Sequence, residues 1–211
     1  MKYNYLVIEG NIGAGKTSFA TMLARETDSR LILEQFDDNP FLARFYEDPE
    51  RYAFQLELSF LSERYQQIKS ELGHPDLFGQ TVVSDYYLAK SFIFSKHNLK
   101  DDEMVLFEKL FTIINMQIPR PDLYIYLHLP VDRLLDNIRK RGRAYELNIK
   151  ADYLKEVQDG YFGFFKSQTE LRILVIDTSN IDFVKKKADY QQIKNLIFTG
   201  DFKPGMNMLN L

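Results

Sequence analysis

Residues Gly10-Asn11-Ile12-Gly13-Ala14-Gly15-Lys16-Thr17 fit the spacing G-x-x-x-x-G-K-[ST], a loop that binds phosphate. Glycines at 10, 13 and 15 let the backbone turn sharply and bring its N–H groups against a polyphosphate. A helix following the loop points its positive end at the same charge. Lys16 is long enough to reach the outer phosphates, and the Thr17 hydroxyl can hold Mg²⁺. A chance glycine-rich turn is the competing reading. The flanks oppose it, since Tyr5–Ile8 is apolar and β-branched like a buried strand and Ser18–Glu26 reads as a helix. A nucleoside triphosphate, ATP in the simplest case, is the ligand this stretch implies.

Two acids fall where strands should end. Glu34 closes the run Arg30–Leu33, and a carboxylate beside a phosphate loop can take the proton of an alcohol that attacks phosphorus. A solvated loop acid is its plain alternative. Asp85 closes Thr81–Ser84 and can stand near Mg²⁺ directly or through water; it can equally be a helix N-cap. Glu9 and Asp177 end two further strands. Arg139, Arg141 and Arg143, with Lys140 among them, close a helix that begins at Val131. Cations there offset the helix dipole by about 0.3–1 kcal/mol each. In a chain that already binds triphosphate they also suit a lid laying guanidinium groups over a transferring phosphoryl, a service worth roughly 10³–10⁵ in rate. Phe36, Phe41, Phe45, Tyr46, Tyr52, Phe54 and Phe60 crowd one region; most suit a core, and two aromatic faces can also sandwich a flat base. His74, His97 and His128 lack metal-ligand spacing and read as structural or surface residues.

The elements that must hold these residues alternate. Strands are expected at 5–8, 30–33, 81–85, 123–129 and 171–176. Helices are expected at 18–26, 41–46, 49–72, 86–96, 101–118, 131–141, 149–168 and 181–198. Pro49 suits a helix start, and Gly73-His74-Pro75 ends that helix. Alternation of this kind predicts an α/β fold: a five-stranded parallel sheet with helices on both faces and ligands at the carboxyl ends of the strands. The segment 200–211 shows no clear period and reads as a loosely held tail after a domain spanning 1–199.

With 211 residues there is enough chain for one full core. A net charge of −3 argues against a nucleic-acid surface. The absence of cysteine excludes disulfides and thiolate metal sites and suits a reducing cytoplasm, the expected location. No signal peptide precedes the first strand, and no apolar run approaches the roughly 20 residues that cross a bilayer.

Glu9–Thr17 (EGNIGAGKT), Leu33-Glu34, Tyr46–Gln55 (YEDPERYAFQ) and Arg139–Glu146 (RKRGRAYE) together resemble the deoxyribonucleoside kinases, over about residues 2–198. The bacterial purine-preferring branch is most similar. The resemblance implies a P-loop kinase fold with an arginine-rich lid at about 139–149. It also implies ATP with Mg²⁺, a homodimer, and transfer to the 5′-hydroxyl of a deoxynucleoside, deoxyadenosine before deoxyguanosine. On this resemblance Glu34 is the base and Lys16, Arg139, Arg141 and Arg143 serve the phosphoryl group. Tyr46 and Glu146 hold the sugar 3′-hydroxyl, and Asp177-Thr178-Ser179-Asn180 covers the ATP adenine. Gln55 reads the nucleobase, with Glu57 its rival; about 200° of helix rotation separates them, so only one can face the pocket. An amide there suits adenine and a carboxylate suits guanine. One departure stands out: the family's acid–arginine pair after the third strand is here Asp85-Tyr86, and Arg44 is the candidate replacement cation. A nucleoside monophosphate kinase, or a nucleotide-binding module without catalysis, are the alternatives. The first would need a further cation at the acceptor, the second would bind ATP without transfer.

Overall fold

Along the first strand every residue is buried, and alternate side chains enter two different cores. The computed structural model describes residues 2–35, 39–73 and 80–211. Its six strands are β1 (Tyr5–Gly10), β2 (Arg30–Ile32), β3 (Val82–Ser84), β4 (Leu123–His128), β5 (Arg172–Asp177) and β6 (Gly205–Asn210). They form one parallel sheet in the order β2-β3-β1-β4-β5-β6. The helices are α1 (Lys16–Thr27), α2 (Leu42–Glu47), α3 (Pro49–Leu72), α4 (Ala89–Asn98), α5 (Asp101–Asn115), α6 (Val131–Arg141), α7 (Ala151–Ser167) and α8 (Lys187–Thr199). A 3₁₀ turn occupies Ala144–Glu146.

One face of the sheet presents Leu6, Ile8, Ile125, Leu127, Leu174 and Ile176 to α1, α6 and α8 through Phe19, Leu23, Leu134, Ile138, Ile193 and Ile197. The other presents Tyr5, Val7, Tyr124, Tyr126, Ile173 and Val175 to α3, α4, α5 and α7 through Leu61, Ile68, Ile93, Phe107, Tyr161 and Phe165. Covering both faces is what makes the strands read as nearly unbroken apolar runs. On α3 the buried residues Ala53, Leu56, Glu57, Leu61, Arg64 and Ile68 recur every three or four positions, a single stripe turned toward the sheet.

Several expectations need correction, among them the last helix, expected from Ile181, which begins at Lys187. The sheet has six strands, and 205–210 is the sixth, paired in register with all six residues of β5. The segment is therefore held in the sheet and is not loose. Its inward positions carry Gly205, Asn207 and Leu209 while Met206 and Met208 face out, the reverse of the usual pattern. Asn207 Nδ2 donates to Ile173 O at 3.2 Å and Lys203 O at 2.8 Å, holding backbone with a polar side chain. The helix expected from Tyr86 begins at Ala89 instead. Tyr86–Leu88 stay irregular because Tyr87 N–H donates to the buried Glu9 Oε1 at 3.0 Å and the Tyr86 hydroxyl donates to Gln67 Oε1 at 2.7 Å. Phe36 and His74 lie outside the described residues.

Candidate active site

The strand order puts the tips of β2, β3 and β1 side by side, and the chemistry-bearing residues follow each tip. After β1 the chain turns on Asn11, whose Nδ2 donates to Leu154 O at 2.7 Å and whose Oδ1 accepts Ile12 N–H at 2.8 Å. Gly13 and Gly15 have φ of 84° and 88°, in the left-handed region. A Cβ on Gly13 would stand 2.8 Å from Leu134 O, and one on Gly15 would stand 2.9 Å from the Phe183 ring. The loop is thus clamped between α6 and the segment after β5. Helix α1 starts at Lys16, so its free amides face the same hollow. Lys16 Nζ donates to Asn11 O at 3.0 Å, a backbone group that phosphate oxygens would replace. Burial lowers its ammonium to about 8, with Lys90 adding to the effect and Glu9, Glu34 and Asp85 opposing it.

Glu34 and Asp85 share this hollow. Asp85 Oδ2 accepts the Thr17 hydroxyl at 2.5 Å, and Oδ1 accepts Glu34 N–H at 2.7 Å. Asp85 therefore ties the phosphate loop to the end of β2 and caps no helix; α4 begins four residues later. Glu34 is buried between two cations. Its Oε1 accepts Arg64 Nε at 2.9 Å and Nη2 at 2.6 Å, and its Oε2 accepts Lys90 Nζ. Burial alone would raise its carboxyl, but Lys90 and Arg64 together outweigh that and hold it down at about 2. It is ionised throughout the physiological range.

The same cavity continues past Phe45, Tyr46, Glu57, Phe60, Arg141, Arg143, Tyr145, Glu146 and Tyr153. Tyr46 and Tyr145 stack with centroids 5.9 Å apart. Arg141, before the bend at Gly142, and Arg143, after it, each pair with one oxygen of buried Glu146. Burial raises the Tyr46 phenol, and Glu146 raises it further. Glu57 is 1% exposed and lines the cavity, whereas Gln55 lies off the buried stripe of α3 and faces solvent. Glu57 Oε1 accepts Asn98 Nδ2 at 2.6 Å.

Other expected residues stand apart from the cavity. Arg139 is 69% exposed and pairs with Asp136 across one helical turn. Arg44 is exposed and sits over the Tyr52 ring, so it does not supply the cation missing after Asp85. Lys90 and Arg64 flank Glu34 instead. The sequence held one clue to Arg64: it lies seven residues after Glu57, two turns along the same face of α3. Nothing local marks Lys90 or Asn98, which depend on how α4 crosses α3. Asp177 and Thr178 form a turn after β5 in which Asp177 Oδ1 accepts Ser179 N–H at 2.9 Å and Thr178 donates to His128 O at 2.8 Å. This turn leads to Phe183 and so to the phosphate loop, but it does not line the cavity around Glu34. His128 Nδ1 pairs with Gln158 at 2.7 Å, and His97 is exposed.

For a metal ion, Thr17 Oγ and Asp85 Oδ2 offer adjacent hard oxygens at the phosphate loop. Among the described residues no group of three or more His, Cys, Asp or Glu converges. That donor set fits Mg²⁺, which keeps water and phosphate oxygens as its other ligands, and would not cage a metal alone.

Comparison with known proteins agrees with the geometry. A family model described as deoxynucleoside kinase matches residues 6–200. A deoxyguanosine kinase of Bacillus subtilis is 35% identical, covering 90% of this chain and 93% of the relative. A deoxyadenosine kinase of Dictyostelium discoideum is 31% identical, covering 90% and 78%. The solved structure of deoxyadenosine kinase from M. mycoides, with products dCMP and dCDP bound, superposes with a TM-score of 0.80 at 22% identity, covering 92% and 99%. The chain belongs to the deoxynucleoside kinase family, enzymes that transfer phosphate to a hydroxyl acceptor.

Proposed function

We propose that the enzyme transfers the γ-phosphoryl group of ATP to the 5′-hydroxyl of a purine deoxynucleoside, with deoxyguanosine preferred when Glu57 is ionised. The observation that carries this is the placement of Glu34, an ionised carboxylate held by Arg64 and Lys90, on one cavity with Lys16, Thr17 and Asp85. Among the described residues Oε2 of Glu34 is engaged by Lys90 alone, which leaves one lone pair for the 5′-hydroxyl. As the bond from O5′ to the γ-phosphorus forms and that to the β,γ-bridging oxygen breaks, the hydroxyl proton passes to Glu34. A carboxylate held this low is a weak base, so it orients the alcohol first and receives the proton late. Lys16 and the amides at the start of α1 hold the phosphates. Thr17 and Asp85 would hold Mg²⁺, which supplies charge neutralisation on the phosphate oxygens. Arg141 and Arg143 exchange Glu146 for the phosphoryl group as the lid closes, leaving Glu146 with Tyr46 for the sugar 3′-hydroxyl. Asp177 and Thr178 support the turn over the ATP base.

The preference for a guanine edge replaces the expected one for adenine because Gln55 points away and a carboxylate faces the pocket. The similarity to a deoxyguanosine kinase supports it. A homodimer is part of the reading: α5 and the residue after it leave Val105, Leu106, Leu110, Ile113 and Met116 exposed. Phosphate transfer from ATP is measured for the four deoxynucleosides and their monophosphates at about pH 8, where Glu57 is ionised. Deoxyguanosine should be turned over fastest, and the monophosphates not at all. No turnover of any nucleoside would remove the proposal.

A further inference from the structure

Glu57 is held by one partner where a carboxylate needs several. Asn98 satisfies Oε1, while Oε2 is buried with no hydrogen-bond partner among the described residues. A buried oxygen left unpaired is costly, and it is satisfied either by a ligand donor or by a proton. The surrounding groups do not fill the gap. On its own helix Arg64 is committed to Glu34 and Ser91, and Lys90 of α4 is committed to Glu34. Arg141 and Arg143 bind Glu146 of the 3₁₀ turn. Tyr46 of α2 and Tyr153 of α7 line the same cavity as neutral phenols. Burial pushes the Glu57 carboxyl up to about 7; Glu34 adds to this, and Asn98, Arg64 and Lys90 oppose it.

We infer that Glu57 reads two purines through two protonation states, so that the base preference of the site follows pH. This rests on the proposed reading that a purine deoxynucleoside is the acceptor. As a carboxylate, Glu57 accepts N1–H and N2–H of guanine on its two oxygens. As a carboxylic acid protonated on Oε2, it donates to N1 of adenine, while the free lone pair of Oε1 accepts N6–H. The mismatched combinations fail for a physical reason. Adenine against the carboxylate sets the N1 lone pair against an anion, and guanine against the acid sets N1–H against O–H. Each base therefore selects one state of the same side chain.

The test is the ratio of kcat/KM for deoxyguanosine to that for deoxyadenosine in the wild-type enzyme, measured from about pH 6 to 8. Titrations common to both reactions, those of Lys16 and the phosphates, cancel in the ratio. Because kcat/KM reports the free enzyme, the ratio should rise about tenfold per pH unit, roughly 100-fold over the range. The guanine arm climbs and the adenine arm falls about one midpoint near 7. Glu57→Gln, whose amide has a fixed donor and a fixed acceptor, should flatten the ratio and move it toward deoxyadenosine. A flat wild-type ratio with both nucleosides turned over would overturn the inference and leave the proposed function standing. A slope that persists in Glu57→Gln would assign the titration elsewhere and overturn it too. Turnover of neither purine nucleoside at any pH would instead overturn the proposed function itself.

Discussion

Replacing Glu34 by glutamine keeps its shape and removes its charge, leaving Arg64 and Lys90 buried without an anion. The cost follows from linkage. The Glu34 carboxyl sits at about 2 in the folded enzyme against an ordinary value of 4.5. Its stabilising contribution is fully present above the ordinary value and disappears as pH falls through the folded one. The difference is worth about 3 kcal/mol at pH 7 and about 1 kcal/mol at pH 3. Removing one member of a buried pair costs a similar 3–5 kcal/mol or so. For a domain of this size, about 3 kcal/mol lowers the melting temperature by roughly 6–12 °C. Glu34→Gln should therefore melt that much lower at pH 7, and its gap to the wild type should narrow by more than half on acidification to pH 3. Affinity for ATP should hold, because the phosphate loop is untouched, while turnover falls by about 10² or more. Thermal melts across pH, with ATP titration and initial rates, read all three. A variant that melts with the wild type at pH 7, or a gap that does not change with pH, would show that the two cations do not hold this carboxylate as described.

Two further outcomes follow from the lid and the sixth strand. Arg141→Ala should cut turnover about 10²–10³-fold by removing a donor to the transferring phosphoryl, while Arg139→Ala, a solvent-facing residue on the same helix, should change it less than about twofold; equal losses in steady-state rates would refute the separation. Ending the chain at Gly200 removes β6 and the buried Phe202, whose burial alone is worth about 1.5–3 kcal/mol. The shortened enzyme should melt at least about 3 °C lower and associate through the uncovered edge of β5, seen by light scattering. Unchanged melting and a clean monodisperse profile would show that the strand contributes nothing.

What could be read from the sequence was local, and what could not was set by helices crossing at a distance. Gly13, Gly15 and Lys16 announce themselves because one short segment supplies the turn, the amides and the cation. Glu34 and Asp85 are legible one step further, since parallel strands bring their ends together whatever the intervening chain does. The phase of α3 was beyond reach: Gln55 and Glu57 are both polar, and only the stripe that packs on the sheet decides which is inside. The strand at 205–210 was hidden because Asn207 and Leu209 face in while methionines face out.

The missing arginine after Asp85 shows the same limit in terms of charge. Tyr86 takes that position and spends its hydroxyl on Gln67, so no local substitute exists. Without a cation, burial would push the Glu34 carboxyl up toward its neutral form. The fold meets the requirement with two residues from different helices, Arg64 on α3 and Lys90 on α4, each seven or fewer residues from a side chain that lines the same cavity, Glu57 and Phe94 respectively. Arg64 is itself anchored to Ser91 of α4, so the crossing of the two helices fixes both cations at once. On the proposed reading, the carboxylate assigned to the sugar and the carboxyl assigned to the base both depend on the packing of α3 against α4. A substitution that shifts α3 against α4 should disturb rate and base preference together.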